Sequence, residues 1–329
     1  MTKYFKTGPK TGIRQLDEYQ NGCWVDLVSP TDDEIENVAS LTDVPEEMIK
    51  APLDNEESAR LETDEGCTLF ILDTPTITEN DGEDLYTTVP IGIIYNDKCI
   101  ITVGLKGNPV LRDFMSKRNK ISTDKPVGFV LNFMLENMKR FLSSLRQIDK
   151  KSSRIKDDLH RSMRNEDLMR LLDLQNSLVY FSTSLSSDMS VENKMERMQA
   201  VRSNEDYKDL YDDVMIETKQ AIETCTVYRD ILTVTMDAFS SVISNNANNV
   251  MKLLTIITVV IAIPTLIAGL WGMNMEVPFQ FIQGTLAFWL VTVVSLVLAG
   301  VTAIVMIRFT SGAKGVKEKK KKNKQSRKR

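Results

Sequence analysis

Small and oxygen-bearing side chains recur at helical spacing through the most apolar part of this chain. With successive residues about 100° apart, Asn248, Met251, Thr255, Thr258, Ala262, Thr265 and Gly269 fall within roughly 60° of one line, and the positions between them are mostly Ile, Leu and Val. A weakly polar stripe on a greasy helix is either a seam against another helix or a wall that faces water. Its oxygens are neutral, which suits binding rather than bond breaking. Elsewhere the reactive inventory is thin. The single histidine, His160, and the scattered Cys23, Cys67, Cys99 and Cys225 contain no CxxC pair, so a zinc cluster cannot be assembled at the usual spacings. No phosphate loop and no pairing of nucleophile with base is visible, which argues against an enzyme.

The stripe lies in a segment fit to cross a membrane. Residues 253–271 run 19 positions without a charge and residues 285–307 run 23. A hydrocarbon core of about 30 Å needs roughly 20 helical residues, so each run is long enough to span. Lys252 precedes the first run and Arg308 follows the second, whereas residues 272–284 hold no Lys or Arg. The positive-inside rule then puts both termini in the cytoplasm. The first thirty residues lack the apolar core and cleavage site of a secretory signal, so the preceding part of the chain is expected in the cytosol, where free thiols persist. Of 329 residues, the first 250 carry 29 Lys and Arg against 43 Asp and Glu, while the remainder carries 12 against 2. An acidic body with a basic end excludes general nucleic-acid binding through the body. The tail KGVKEKKKKNKQSRKR is expected to be disordered and to act as a topology anchor near anionic headgroups.

Something must position the stripe, and the body offers two kinds of structure. Strands are expected at residues 23–28, 68–73, 88–95 and 99–103, the last two flanking a hairpin turn at Asn96-Asp97-Lys98. Thr31 with Glu34 three residues on forms a capping box that opens a helix. From about Lys125 the pattern turns helical, with no proline between Pro126 and Pro264. Phe129, Phe133, Leu135, Met138, Leu142 and Leu145 recur at three and four spacing, as do Leu168, Leu171, Leu172, Leu174 and Leu178. Asn165 and Ser203-Asn204 suit helix caps or breaks. From near Asn204 no breaker intervenes until the first span, which predicts a single rod near 100 Å long. Such a rod cannot bury itself alone and calls for bundling or oligomerisation.

After the first span comes Trp271-Gly272-Met273-Asn274-Met275-Glu276-Val277-Pro278. With a Pro and a Thr in the outer half of the preceding span, a second span behind and a Lys-rich end, this octet resembles the signature of the CorA family of divalent-metal transporters. Trp24-Val25-Asp26-Leu27 with Pro30, Thr88-Val89-Pro90-Ile91-Gly92-Ile93-Ile94, Leu178-Val179-Tyr180-Phe181 and Tyr228-Arg229-Asp230-Ile231 are similar to segments of the same family, so the resemblance covers nearly the whole chain. It implies an α+β membrane protein: a cytosolic α/β/α domain, a long stalk helix, two C-terminal transmembrane helices and a funnel-shaped homopentamer with one central pore. The corresponding organisation is a cytosolic α/β domain over 1–124, a helical region with the stalk over 125–252, a pore-lining span over 253–271, an extracytoplasmic filter loop over 272–284, a second span over 285–307 and a basic cytosolic tail over 308–329.

In such a pentamer Asn248, Met251, Leu254, Thr258, Ala262 and Thr265 line the pore, and Gly272, Met273 and Asn274 form the selectivity filter. A ring of neutral oxygens suits Mg²⁺, which gives up its inner waters reluctantly, whereas carboxylates would hold it too tightly to conduct. Met251, with Leu254 one turn on, would form an apolar constriction that gates by dewetting. Glu276, the only acid of the loop, either draws cations to the mouth or is a solvated charge. The resemblance also matches Asp213 and Asp237 to acids of regulatory metal sites on the stalk, where Mg²⁺ bound between protomers holds the closed state. Lys50-Ala51-Pro52 stand where the family has an acidic pair, so the partner of Asp213 is Asp54, Glu56 or Glu57, or the site is altered. The expected function is therefore Mg²⁺ import down the membrane potential at the plasma membrane, with Mg²⁺ as cargo and regulator. The expected partners are further copies of the chain and the lipid bilayer, with no nucleic acid and no small-molecule substrate besides metal ions. The alternatives are a Zn²⁺ or a Co²⁺/Ni²⁺ transporter of the same fold, disfavoured for soft ions by the absence of Cys and His from the stripe, and a membrane-anchored helical sensor without a pore.

Overall fold

A computed structural model of the chain describes every residue except 9–11, 81–82, 117–121, 163–164, 274–284 and 327–329. Two compact units result, Met1–Asp237 and Ala238–Arg329. In the first, the strands β1 (Thr2–Gly8), β2 (Gly12–Leu16), β3 (Cys23–Val28), β4 (Arg60–Asp64), β5 (Cys67–Asn80), β6 (Glu83–Tyr95) and β7 (Cys99–Gly104) form one seven-stranded sheet in the order β2-β1-β3-β7-β6-β5-β4. The β3–β7 pair is parallel and the other neighbours are antiparallel. The expected turn between β6 and β7 is closed by Asn96, whose Oδ1 accepts from the backbone of Lys98 at 2.9 Å and of Cys99 at 3.0 Å.

Alternation along the strands divides the core into two layers. Cys23, Val25, Leu27, Leu69, Ile71 and Ile101 face α1 (Asp32–Thr42) and α2 (Glu46–Lys50) through Ile35, Val38 and Ile49. Trp24, Phe70, Leu72, Ile91 and Ile93 face the other way, onto Phe114, Phe129 and Phe133. Those rings belong to α3 (Pro109–Ser116) and α4 (Pro126–Ser162), and the same layer takes in Val191 of α5 (Asn165–Met195) and Val214 of the helix that follows the short α6 (Gln199–Arg202). Helices on both faces of one sheet make an α/β/α unit. The capping box at the start of α1 is formed, Thr31 Oγ1 accepting from the Glu34 backbone and the Glu34 carboxylate accepting from the Thr31 backbone.

The last two helices are α7 (Glu205–Trp271), of 67 residues, and α8 (Thr285–Ser326). Asn204 opens α7 by accepting from the backbone of Asp206 and Tyr207. Three features depart from the sequence reading. The hairpin β1–β2 and the edge strand β4 are too polar and short to show an alternating signal. Strands β5 and β6 run 14 and 13 residues, paired in one long ribbon whose outer part is rich in Thr. The basic tail, expected to be disordered, continues α8 as helix through Ser326, because Lys, Glu, Gln and Ala are good helix formers and no proline follows Pro278.

Candidate functional site

In the unit Ala238–Arg329 the two faces of α7 differ. Partial burial falls on Ile256, Val259, Val260, Ile263, Pro264, Ile267 and Trp271, all about 80° or more around the helix from the middle of the stripe. Asn248, Met251, Thr255, Thr258, Ala262, Thr265 and Gly269 are all exposed, and so is Leu254. Within a single chain the stripe is therefore not a packing seam. Thr255, Thr258 and Thr265 each donate the hydroxyl hydrogen to the carbonyl four residues back, those of Met251, Leu254 and Ile261, at 2.8 to 2.9 Å. A hydroxyl tied in this way has no proton left to offer outward and presents lone pairs alone. The three threonines of the stripe thus face outward as acceptors. Among the described residues, α7 and the segment Phe288–Phe309 of α8 are the two helices long and apolar enough to cross a membrane.

Helix α7 ends at Trp271, where the Gly272 backbone still donates to Ala268 at 2.9 Å and that of Met273 to Leu270 at 3.4 Å. A side chain at position 272 would place its Cβ 3.3 Å from the Ala268 carbonyl oxygen, so the turn is tight against its own helix end. Met273 is exposed. Asn274 and Glu276 lie outside the described residues. Asp213 and Asp237, expected from the resemblance to be regulatory acids, are both exposed on α7. Lys50 is paired with Glu46, Glu57 with Arg60, and Asp54 accepts from the Glu56 backbone. Among the described residues no group of three or more His, Cys, Asp or Glu side chains is placed to hold a metal. Asp213 and Asp237 each present one carboxylate, fewer than the several oxygen ligands a bound cation needs.

The sequence reading missed two buried polar constellations. Trp24 donates its indole N–H to Thr102 Oγ1 at 2.8 Å, and Thr102 donates in turn to Asp26 Oδ1 at 2.8 Å, a chain running across β3 and β7. Burial holds the Asp26 carboxyl above the usual carboxylate range, and the Thr102 bond draws it partly back. On α5, Asp188 and Glu192 are fully buried. A signal for the second set exists. Leu171, Leu174, Leu178, Phe181, Leu185, Asp188, Glu192 and Met195 fall at three and four spacing and all are buried, so two acids occupy positions of an apolar stripe.

Comparison with known proteins gives concordant relatives. The cobalt/magnesium transport protein CorA of Methanocaldococcus jannaschii is 26% identical over 295 residues, 88% of this chain and 91% of its own length. The protein of the same description from Thermotoga maritima is 22% identical over 309 residues, covering 92% and 86%. The complete structure of the CorA magnesium transporter from M. jannaschii matches with a TM-score of 0.77 at 23% identity, over 93% of this chain and 96% of that one, a likeness of fold. The family described as CorA-like Mg²⁺ transporter protein matches residues 19–308. With that match extending from just before β3 through α7 and the apolar part of α8, the chain belongs to the CorA family of cobalt and magnesium transporters.

Proposed function

We propose that this chain imports Mg²⁺ into the cell, down the membrane potential, through a pore on the axis of a homopentamer in the plasma membrane. The observation that carries the reading is the exposed column of acceptors on α7. A hydrated Mg²⁺ presents water hydrogens in every outward direction, and Thr258 and Thr265, with their own protons turned into the helix, accept from them without stripping the inner shell. Asn248, Met251, Leu254 and Ala262 complete the wall. Met251 and Leu254 form the apolar section, where a narrowed ring expels water and stops the hydrated ion. At the outer mouth Gly272, Met273 and Asn274 form the filter. Five Asn274 side-chain carbonyls would accept from the ion's water shell, and Gly272 keeps the turn close to its helix.

The potential supplies the drive, about 2.3 kcal/mol per charge per 100 mV and so about 4.6 kcal/mol for a divalent ion. Lys252 and Arg308 at the inner ends of the spans support an orientation with both termini cytoplasmic. Feedback follows from charge. Five copies of a 250-residue part with 43 acids and 29 bases repel one another, and Mg²⁺ held at Asp213 and Asp237 with carboxylates of a neighbouring protomer would offset that repulsion and keep the stalks together. Loss of the ion when cytosolic Mg²⁺ falls would then favour opening. Co²⁺ is a second cargo on this reading, since the relatives bear the names of cobalt/magnesium transporters. The absence of Cys and His from the stripe disfavours a soft-ion site.

The test is metal entry into proteoliposomes under an inward-negative potential, with Mg²⁺, Co²⁺ and Zn²⁺ read in parallel for wild type and Asn274→Ala. Mg²⁺ entry that is lost in the variant supports both pore and filter. Entry of Zn²⁺ alone would overturn the cargo, and entry of no metal would favour a membrane-anchored sensor.

A further inference from the structure

We propose that Asp188 and Glu192, one helical turn apart on the buried face of α5, form a proton-operated latch that holds α7 against α5 at Thr218 and releases that length of α7 when the carboxyls ionise. The geometry is a buried seam among β5, α4, α5 and α7. Asp188 accepts the Asp73 backbone N–H at 2.9 Å through Oδ1, and Asn137 reaches its Oδ2 at 3.4 Å while donating to the Asp73 carbonyl at 2.8 Å. One turn on, Glu192 Oε1 accepts the Thr218 hydroxyl at 2.9 Å. Among the described residues Glu192 Oε2 and Asn137 Oδ1 have no hydrogen-bond partner, and both residues are fully buried. A carboxylate left with an unmatched oxygen in such surroundings is costly, whereas a protonated one is neutral and offers a donor.

The neighbours reinforce this. Facing the pair are the Asp73 carboxyl from β5, the neutral Asn137 from α4 and the Tyr211 phenol from α7, and among the described residues no Lys or Arg hydrogen-bonds or ion-pairs with either acid. Burial and the carboxyls of Asp73 and Glu192 push Asp188 well above the ordinary carboxylate range. Burial pushes Glu192 up to about 8, while the Thr218 bond draws it down. On α7, Val214, Thr218, Ala221 and Cys225 are the buried positions of the docked face, and Cys225 reaches the Leu178 carbonyl of α5 at 3.3 Å. Thr218 is the contact in that face made to an ionisable side chain of α5, so the charge state of Glu192 acts where α7 is held.

The sign follows from linkage. A solvated Glu titrates near pH 4.3, and docked Glu192 near 8. Between these values the docked state keeps a proton that the undocked state has lost. Each pH unit across that window therefore favours undocking by up to about tenfold through Glu192 alone, with no further effect above about pH 8. Acid clamps α7 and alkali frees it, with the steep region at neutral pH. This inference does not rest on which ion the chain carries.

Hydrogen exchange of the α7 amides around Thr218, in the full-length protein in lipid nanodiscs at fixed Mg²⁺ and at pH 6, 7, 8 and 9, tests it after correction for intrinsic exchange. The wild-type opening equilibrium should rise with pH more steeply than that of Glu192→Gln by about one proton, close to tenfold per unit between pH 6 and 8. Thr218→Val, which removes the bond favouring the ionised form, should move the levelling-off to higher pH. Equal slopes in wild type and Glu192→Gln, or an unchanged levelling-off in Thr218→Val, would overturn the latch.

Discussion

Thr258→Val isolates the acceptor column. Valine keeps the β-branched shape and the helix, and Thr258 is exposed, so the substitution leaves the fold of the single chain close to unchanged. It removes the oxygen whose proton is bonded to the Leu254 carbonyl at 2.8 Å and whose lone pairs point away from α7. Each net hydrogen bond is worth about 1 kcal/mol. If a hydrated ion passing the ring loses about two such contacts, the barrier rises by about 2 kcal/mol and flux falls about thirtyfold. Thr258→Ser keeps the acceptor and should keep most of the flux. Ile263→Val, on the part-buried face of the same helix, serves as the positional control. The assay is potential-driven Mg²⁺ entry into proteoliposomes at matched protein density, with melting temperature measured beside it. Unchanged flux in Thr258→Val, or equal losses in Thr258→Val and Thr258→Ser, would refute the claim that Mg²⁺ is passed by outward acceptors.

Two further predictions concern the unit Met1–Asp237. Thr102→Val strands both the Trp24 indole N–H and the Asp26 carboxyl, about 1–3 kcal/mol for each orphan, and should lower the melting temperature of the full chain by about 2–4 °C per kcal/mol. Because the lost bond is the one that draws Asp26 down, its carboxyl rises further in the variant. A folded-state carboxyl above its unfolded value takes up a proton on folding at intermediate pH, so the variant's deficit should shrink from pH 8 to pH 5, and a constant deficit would contradict the assignment. Gly92→Ala puts a Cβ 2.2 Å from Pro52 Cγ and 2.9 Å from Val103 Cγ1, so the turn Ala51–Leu53 must lift from the sheet. That overpacking should cost about 1–3 kcal/mol, read as a lower melting temperature, and an unchanged melt would show that Pro52 moves freely.

Local pattern and composition were enough for the elements that one chain completes. The capping box at Thr31, the Asn96 turn and the buried faces of α4 and α5 are each set by residues a few positions apart, and they formed as the spacing implied. Long-range partners left weaker traces. The β1–β2 hairpin offers only a few apolar residues to the core, chiefly Phe5, and the β5–β6 ribbon extends past the sheet through Thr-rich sequence whose partner is α5, through Thr88 to Ser184 at 2.8 Å and Tyr86 to Ser177 at 3.3 Å. Asp188 and Glu192 were visible only as intrusions in an apolar stripe. Why acids stand there depends on Asn137 and Thr218, 51 and 26 positions away.

The stripe on α7 was ambiguous in sequence between a seam and a wall, and periodicity alone cannot separate them. What separates them is which side of the helix the chain itself covers. Ile256, Val260, Ile263 and Ile267 lose exposure, while the Thr, Ala and Gly side is left bare together with Leu253, Ile257, Ile261 and Leu266 beside it. In a bilayer, a hydroxyl whose proton is already turned inward is satisfied beside lipid, as Thr292 and Thr302 on α8 are, and can still accept from water. Exposed Leu286, Phe288, Trp289, Leu296 and Ile304 on α8 supply the bulky apolar surface that lipid suits. In the proposed pore, a ring of copies with α8 outward and the α7 stripe inward would satisfy both surfaces at once. In that arrangement the two readings of the stripe converge, because its edges pack against neighbours and its centre faces the water they enclose.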